Sequence, residues 1–444
     1  MRRLTDFPEA WAVLDRRLDR NTCAPVALAL SGGGDSMALL HLAQAWADQR
    51  GRRLIALTVD HGLNAASAGW TAAAGKAAHD VGADWRALPW IGEKPNTSLP
   101  AAARTARHRL LANAAREAGA AVILLAHTAN DVAEGDLMRS SGTLTLGHLR
   151  EWSPSPVWPE GRGLFILRPF LKVRRTPLRI YLSEQGVQWL EDPANDDIRY
   201  ARPRARAALV AYEALGAVTA QQLYDGSVLP ELAEATVASP DGRLSIRRTL
   251  IEDADRISAR RFLAMAAICA SGRPAPPRGP SLDRLQARLS AEQRFVATLA
   301  GARITVEPDH IGFTREAGDA ERAGLAPLHL MAGETAVWDG RFEVKARADV
   351  AVVALSGYAA SLGKADRTSL AAIPAEARPS LPVLLQEGGA VLPRPFGAGP
   401  ASARALAQAR LRAACDLASR EAHIASGGMA EGLRSSYVEA MALA

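Results

Sequence analysis

The segment between the first predicted strand and the first predicted helix constrains the fold more than any other part of the sequence. Residues 26–30 form an apolar run typical of a buried strand, and residues 37–46 carry apolar side chains at helical spacing. Between them stand Ser31, Gly32, Gly33, Gly34, Asp35 and Ser36. The glycines let backbone N–H groups approach a ligand without a Cβ atom in the way, and the helix directs its N-terminal amides at the same point. This arrangement predicts a phosphate site at the carboxyl end of a parallel strand.

The acidic residue of this glycine-rich segment indicates that a cation binds there as well. The segment lacks the Gly-Lys-Ser/Thr ending of the Walker loop, and its spacing differs from the dinucleotide-binding GxGxxG motif. Asp35 would repel a phosphate unless a cation lay between them, so we expect Mg²⁺ to be bound at Asp35. The alternative is an ordinary glycine-rich turn in which Asp35 is the N-cap of the helix.

Strand-like and helical patterns alternate through the first 200 residues. A second apolar run covers residues 54–59 and a later one covers residues 122–126, with helical patterns near residues 71–81 and 101–118. Apolar strands that alternate with helices predict an α/β fold built on a Rossmann-like parallel sheet with helices on both faces.

The pattern changes near residue 205, and the rest of the chain mixes helices with short strands. Asp339-Gly340 predicts a turn within a strand-like stretch, and residues 401–425, rich in alanine and arginine, predict a long helix. We therefore expect a helical middle domain and a small α+β C-terminal domain with a helical tail. The expected domains cover residues 1–206, 207–330 and 331–444.

Composition and charge narrow the class of protein. The net charge of +6 and the pI near 9.5 favour a polyanionic partner. The three cysteines are far apart and form no CxxC pair, which argues against a disulfide framework, a zinc ribbon or a cysteine-held cluster. No apolar run approaches the roughly 18 residues that span a bilayer, and the N-terminus lacks a signal-peptide core, so we expect a soluble cytoplasmic protein.

Five segments resemble those of a known family. The glycine-rich segment has the SGGxDS signature of the PP-loop ATP pyrophosphatases, and the other four are similar to motifs of the tRNA(Ile)-lysidine synthetases within that group. They read TVDHGLN at residues 58–64, ARTARH at 103–108, AHTANDVAEGDLMR at 126–139, and WLEDPAN with RYARPRAR at 189–206. The resemblance covers residues 25–206 in order, and residues 373–399 are weakly similar to the end of the family's C-terminal domain.

The resemblance implies a two-step ligase reaction. The O2 atom of the wobble cytidine in a CAU-anticodon tRNA(Ile) attacks the α-phosphate of ATP and expels pyrophosphate. The amine of free lysine then attacks C2 and expels AMP, which leaves lysidine and changes the tRNA identity from methionine to isoleucine. ATP, Mg²⁺, lysine and tRNA(Ile) are the implied partners, and the oligomeric state stays open, with a homodimer as one arrangement.

The matched positions imply a set of site residues. The residues expected to act in catalysis are Asp35, His127, Asp131 and Glu134, of which the last two are three apart and so share one face of a helix. The residues expected to bind ATP are Ser31, Gly32, Gly33, Gly34, Asp35, Ser36, Asp60, His61, Arg104 and Arg107. The alternatives are histidines that cap strand ends, acids on a solvated helix face, and arginines that flank a helix.

A run of arginines across residues 168–206 predicts an RNA contact. An exposed basic cluster binds phosphates and makes binding steeply dependent on salt. The arginines expected to bind tRNA are Arg174, Arg175, Arg199, Arg202 and Arg206. The alternative is a solvated pair of helices with local salt bridges.

The sequence departs from the family pattern at five positions. Asn130, Val132 and Gly135 stand where the family has an aspartate, a glutamine and a threonine, Pro203 replaces an asparagine, and Asn64 replaces an arginine. We expect Asp131 to keep the metal-binding or lysine-binding role and Asn130 to keep hydrogen bonds alone. The departures motivate an alternative, a tRNA-binding paralogue with impaired catalysis. A tRNA-thiolating PP-loop enzyme is a second alternative, disfavoured by the scarcity of cysteines.

Overall fold

The structure is a computed structural model that describes residues 7–95, 97–140, 149–191, 204, 205, 208, 228–277, 279–322, 324–386, 389–393 and 399–424. These residues form two compact units. The first unit contains the described residues before 224 and after 417, and the second contains those in between. The three domain boundaries expected from the sequence stay a prediction.

A six-stranded sheet organises the first unit. Its strands are β1 (Val26–Ala29), β2 (Leu54–Asp60), β3 (Asp84–Pro89), β4 (Val122–Leu124), β5 (Trp152–Pro154) and β6 (Phe165–Leu167). The order is β3-β2-β1-β4-β6-β5, and all neighbours are parallel except β5 and β6. The central strands β1 and β4 are apolar and almost wholly buried, as a sheet with both faces covered requires. The predicted α/β fold with a parallel sheet is confirmed.

In the described part of this unit, six helices with both ends defined accompany the sheet. They are α1 (Pro8–Arg17), α2 (Gly34–Arg50), α3 (Ser67–Asp80), α4 (Leu99–Glu117), α5 (Ala129–Ser140) and α6 (Arg175–Glu184). Leu111 and Ala115 of α4 pack in one core with Ile55 and Ile123 of the sheet. Among the residues described, no helix is both long enough and apolar enough to span a membrane.

The last described residues return to the first unit. The guanidinium of Arg52 and the carboxylate of Glu421 form a two-point ion pair, with Nη1–Oε2 and Nη2–Oε1 distances of 2.7 and 2.8 Å. Their side chains are 1% and 6% exposed. Trp152 Nε1 also donates to the carbonyl of Ala418 at 2.6 Å. Residues 418–424 are therefore fastened to the first unit by buried polar contacts.

The described residues of the second unit form three antiparallel sheets. Its helices are α7 (Leu229–Glu234), α8 (Arg248–Asp253), α9 (Arg256–Ser271), α10 (Gly279–Ala291), α11 (Ala317–Arg322), α12 (Lys364–Ala371) and α13 (Ala407–Ala414), with 3-10 turns at Ala359–Ser361 and Arg378–Ser380. Its strands are β7 (Val237–Ala238), β8 (Leu244–Arg247), β9 (Phe295–Leu299), β10 (Ala302–Val306), β11 (His310–Arg315), β12 (Leu328–Leu330), β13 (Thr335–Trp338), β14 (Phe342–Ala346), β15 (Val350–Ala354), β16 (Pro382–Gln386), β17 (Gly389–Val391) and β18 (Ala401–Ala405). The sheet orders are β7-β8-β11-β10-β9, β12-β15-β16-β17 and β13-β14-β18.

Two local predictions for this unit have opposite outcomes. The Asp339-Gly340 turn is confirmed, because both residues have positive φ (50° and 64°) and the backbone N–H of Arg341 donates to the Trp338 carbonyl at 3.1 Å across them. Residues 339–341 join β13 to β14 as a three-residue hairpin connection. The long helix over residues 401–425 is wrong. Residues 401–405 instead pair with β14 as strand β18, and the helix that follows ends at Ala414. Pairing with a neighbouring strand overrides the helix propensity of alanine and arginine here.

Candidate active site

The parallel sheet brings the predicted site residues to one edge. Strands β1, β2, β4 and β6 run in the same direction, so the residues that follow them lie along the same edge of the sheet. The residues after these four strands include Ser31, His61, His127 and Arg168. Ligands of open α/β sheets bind at this edge.

The glycine-rich segment forms a tight loop that leads into α2. Gly32 has a φ of +81°, and its carbonyl accepts a hydrogen bond from the backbone N–H of Leu190 at 2.9 Å. The hydroxyl of Ser36 donates to the Gly33 carbonyl at 2.8 Å and lies 3.1 Å from the hydroxyl of Ser31. Gly33 is the N-cap of α2, so the alternative in which Asp35 is the N-cap is wrong. The first N–H groups of a helix lack acceptors within it, which leaves those of α2 available to a phosphate.

A Gly32→Ala variant tests whether this loop geometry is needed for ATP binding. A Cβ atom at residue 32 would lie 2.7 Å from Leu190 Cδ1, on a backbone conformation that costs a non-glycine residue about 1–3 kcal/mol. We expect the Kd for ATP, measured by calorimetry, to rise more than about tenfold, because alanine disfavours the positive φ of residue 32 and the loop would relax away from its phosphate-binding geometry.

The matched control is Gly51→Ala, at the other end of α2. Gly51 also has positive φ (63°), but no atom lies within 4 Å of the added Cβ. We expect this change to lower stability slightly and to leave the Kd for ATP unchanged. Equal effects of the two changes on ATP binding would show that the loop geometry is not what matters.

Three carboxylates surround one guanidinium next to this loop. Arg175 Nε lies 2.8 Å from Asp35 Oδ2, Nη2 lies 3.4 Å from Asp131 Oδ2, and Nη1 lies 3.6 Å from Glu134 Oε1. The two last acids are almost fully buried. Burial disfavours the charged guanidinium, but the surrounding carboxylates outweigh it and raise the pKa of Arg175. The structure therefore brings together three of the four residues predicted to act in catalysis, and it places there an arginine that was predicted to bind tRNA.

The start of α5 explains how Asp131 is held. Its Oδ2 atom accepts hydrogen bonds from the backbone N–H and the hydroxyl of Thr128, both at 2.8 Å. The bond from the Thr128 backbone corresponds to one half of a capping box, the half in which an acidic side chain reaches back to the start of the helix. The spacing Thr-x-x-Asp before a helical run is the sequence signal that indicates this contact of Thr128.

Asn130 contacts the backbone of the arginine at the centre of the cluster. Its Oδ1 atom accepts a hydrogen bond from the backbone N–H of Arg175 at 2.9 Å, at the first residue of α6. An amide oxygen satisfies this donor as well as a carboxylate oxygen does. The expectation that Asn130 supplies hydrogen bonds is in accord with this contact, which ties α6 to the start of α5.

The Asp35 carboxylate is suited to a divalent cation. Its Oδ1 atom is buried and has no hydrogen-bond partner among the residues that the structure describes, while Oδ2 contacts Arg175. Burial raises the pKa of Asp35 more than the charge of Arg175 lowers it. An unsatisfied buried carboxylate oxygen beside a phosphate loop fits Mg²⁺, which uses one or two carboxylates together with phosphate oxygens and water. The described residues hold no preformed group of three metal ligands.

Asp60 and His61, the two residues predicted to bind ATP at the end of β2, have different structural roles. Asp60 Oδ1 accepts hydrogen bonds from the Ser67 hydroxyl and the Gly62 backbone, at 2.7 and 2.8 Å, and these bonds lower the pKa of Asp60. Its carboxylate therefore organises the turn before α3. His61 is half-buried, packs edge-on against Trp90 with ring centroids 5.9 Å apart, and has its pKa lowered by burial and by the charge of Arg107. An aromatic and basic surface of this kind is suited to a nucleotide base.

The α4 arginines that were predicted to bind ATP act electrostatically on groups at the same edge of the sheet. Arg168, at the end of β6, is 6% exposed, so the sequence placement of this residue in an exposed basic run is wrong. Burial and then the charges of Arg104 and Arg107 lower the pKa of His108, on α4, to about 3. The predicted ATP ligands Arg104 and Arg107 thus lie close enough to act electrostatically on His61, His108 or Arg168.

Because it is buried and neutral, His108 makes the stability of the first unit depend on pH. Its folded pKa of about 3 lies below the unfolded value near 6.5, so the unfolded state binds more protons between these values and stability falls as pH falls. From pH 7 to pH 5 the wild type should lose about 2 kcal/mol more than a His108→Leu variant in urea unfolding. Equal losses in the two proteins would contradict this account of His108.

Of the five arginines predicted to bind tRNA, two lie among the described residues. Arg175 lies in the carboxylate cluster, and Arg174 is the N-cap residue of α6. Arg199, Arg202 and Arg206 lie outside the described residues. Their contact with tRNA therefore stays a prediction.

Comparisons with known proteins agree with this geometry. Residues 11–213 match the family model described as a PP-loop domain. A tRNA(Ile)-lysidine synthase of Caulobacter vibrioides is 48% identical over 379 residues, which cover 85% of this chain and 88% of that protein. Relatives with the same name from Hyphomonas neptunium and Mesorhizobium japonicum are 39% and 36% identical, over 69% and 70% of this chain and 84% and 70% of their own lengths. With a relative this similar over most of both lengths, the chain belongs to the tRNA(Ile)-lysidine synthase family.

Proposed function

We propose that this chain ligates lysine to C2 of the wobble cytidine in a CAU-anticodon tRNA(Ile), with ATP cleaved to AMP and pyrophosphate. The observation that carries the proposal is the cluster of Asp35, Asp131 and Glu134 beside the glycine loop. The proposed phosphate site of the glycine loop and the proposed cation site at Asp35 are adjacent in this arrangement. These are the two sites that an ATP-dependent ligation of a cationic amine needs.

In the first step the chain orients ATP and balances charge. A neutral carbonyl oxygen, cytidine O2, attacks the α-phosphorus, and the bond to the β-phosphate oxygen breaks as pyrophosphate leaves. Such a step depends on in-line placement and charge stabilisation more than on a protein nucleophile. The glycine loop and the start of α2 would bind the phosphates, while Asp35 would hold Mg²⁺, which neutralises phosphate charge when bound.

In the second step the buried acids act on lysine. The incoming amine is an ammonium ion and must lose a proton before its lone pair can attack C2. Asp131 and Glu134 are buried, three residues apart on α5, and already arranged around a cation. They would bind the lysine ammonium in the same way and accept its proton, and AMP then leaves from C2.

The alternative of a tRNA-thiolating enzyme lacks a suitable thiol. Cys269 and Cys415 are buried in the second unit, and burial raises the pKa of both thiols, that of Cys269 to about 11. A persulfide-forming cysteine needs a thiolate and access to solvent. Cys23 is exposed but precedes β1, at the end of the sheet opposite to the candidate site.

Lysine incorporation into tRNA tests the proposal. We expect purified protein with ATP and Mg²⁺ to transfer radiolabelled lysine to a CAU-anticodon tRNA(Ile). The matched control is the same tRNA with uridine in place of the wobble cytidine, which should accept no lysine. An absence of incorporation into the CAU tRNA would support the paralogue with impaired catalysis instead.

A further inference from the structure

Arg168 is a buried arginine that binds a candidate catalytic histidine. Its Nε atom donates to His127 Nδ1 at 3.1 Å, and its Nη1 atom donates to the Arg150 carbonyl at 2.7 Å and the Ser153 hydroxyl at 3.1 Å. No carboxylate among the described residues pairs with it. The acceptors that the described residues offer this buried cation are all neutral, whereas buried arginines are ordinarily paired with acids.

The contact with Arg168 determines where His127 carries its proton. An arginine Nε always bears hydrogen and cannot accept, so His127 Nδ1 must be the acceptor. A neutral imidazole has one acceptor nitrogen and one N–H group, which places the proton of His127 on Nε2. A proton on Nδ1 would instead point at the Arg168 N–H across 3.1 Å.

We infer that Arg168 is a positioning residue that holds His127 as the neutral tautomer protonated on Nε2. His127 then serves the site as a hydrogen-bond donor, because its single lone pair is taken by Arg168. The identity of the group that accepts this hydrogen bond rests on the proposed function. A neutral N–H donor suits the phosphate oxygens of ATP, which gain negative charge as cytidine O2 attacks.

This tautomer also determines which groups can accept the proton that lysine loses. A histidine whose acceptor nitrogen faces a guanidinium cannot take the proton that lysine must lose. That proton then has to go to the acids on the other side, Asp131 or Glu134, which surround Arg175. The sequence alone predicts a catalytic role for His127 without specifying it.

Nitrogen NMR of the ring tests the inference directly and needs no turnover. The chain has nine histidines, and the His127 ring resonances can be assigned by their loss in a His127→Gln protein. In full-length protein without substrates, near neutral pH, we expect Nδ1 at the unprotonated and Nε2 at the protonated end of the chemical-shift range. A proton on Nδ1, on both nitrogens, or exchanging between them would overturn the inference.

Two substitutions of Arg168 separate positioning from mere packing. Arg168→Gln keeps a nitrogen donor at the chain position of Nε, whereas Arg168→Met has a side chain as long as that of glutamine and no donor. We expect the glutamine protein to retain the His127 tautomer and the methionine protein to show a mixture. Release of pyrophosphate dependent on tRNA should fall about 10²-fold in the methionine protein and much less in the glutamine protein.

The outcomes for the tautomer and for the proposed function are distinguishable. If the methionine protein does not fold, as thermal melting would reveal, the wild-type spectrum still decides the tautomer. A methionine protein that folds and keeps the wild-type tautomer would show that Arg168 does not set it. A wild type with the expected tautomer but no lysine incorporation would leave this inference standing and remove the proposed function.

Discussion

An Asp35→Asn protein releases pyrophosphate from ATP at least about 10³-fold more slowly than the wild type, whereas its affinity for tRNA stays unchanged. The loss is large because residue 35 has a buried carboxylate oxygen with no hydrogen-bond partner among the described residues, next to the phosphate loop. An amide cannot neutralise a divalent cation, so phosphate charge would stay uncompensated during attack on the α-phosphorus. Single-turnover pyrophosphate release with saturating CAU tRNA measures the effect.

The control for this change is Asp48→Asn, at the other end of the same helix. Asp48 is exposed and accepts a hydrogen bond from Gln44 at 2.7 Å, far from the loop. We expect its rate to equal that of the wild type. Filter binding of tRNA to the Asp35→Asn protein checks that the fold is intact. A rate within tenfold of the wild type for Asp35→Asn would contradict the role of Asp35 in holding the metal.

A Glu421→Gln protein loses about 3–5 kcal/mol of stability in urea unfolding, because the change leaves the Arg52 guanidinium buried without a counter-charge. The two side chains are 1% and 6% exposed, so water cannot replace the lost partner. Glu421 Oε2 also accepts from the backbone N–H of Asp19 at 2.8 Å, which ties the returning C-terminal residues to the N-terminal part of the unit.

The neighbouring pair Arg53–Asp84 is a control for this prediction. It is equally close, with Nη2–Oδ2 at 2.5 Å, but its side chains are 70% and 52% exposed. An Asp84→Asn change should therefore cost less than about 1 kcal/mol. If both changes cost the same small amount, residues 418–424 do not hold the first unit together.

The sequence predicts the parallel sheet and its phosphate loop because both depend on local signals. Buried parallel strands such as β1 are continuous apolar runs, and the glycines at residues 32–34 stand between such a run and a helix. Strand β3 is different, since its exposed edge position leaves it without an apolar pattern. An edge strand such as β3 is identified by its pairing with a neighbouring strand, and this pairing cannot be read from the sequence.

The sequence predicts which acidic residues belong to the candidate site, but it does not predict their contacts. Motif positions pointed to Asp35, Asp131 and Glu134, and the structure places all three around one cation. That this cation is Arg175, from α6, depends on how α5 and α6 meet through Asn130. Charge patterning treats all arginines alike, so it could not separate Arg175 or the buried Arg168 from arginines on the surface.

A pulse-chase experiment with ATP labelled at the α-phosphate tests the central claim most directly. The claim is that ATP in the glycine loop is attacked at its α-phosphorus by the wobble cytidine, and that lysine then displaces AMP. Protein, Mg²⁺ and CAU tRNA(Ile) are mixed with labelled ATP in the absence of lysine, and excess lysine is added afterwards. We predict that the label appears first on the tRNA and is then released as AMP when lysine is added. Label on the protein, release of ADP, or labelling of a tRNA that lacks the wobble cytidine would contradict the account.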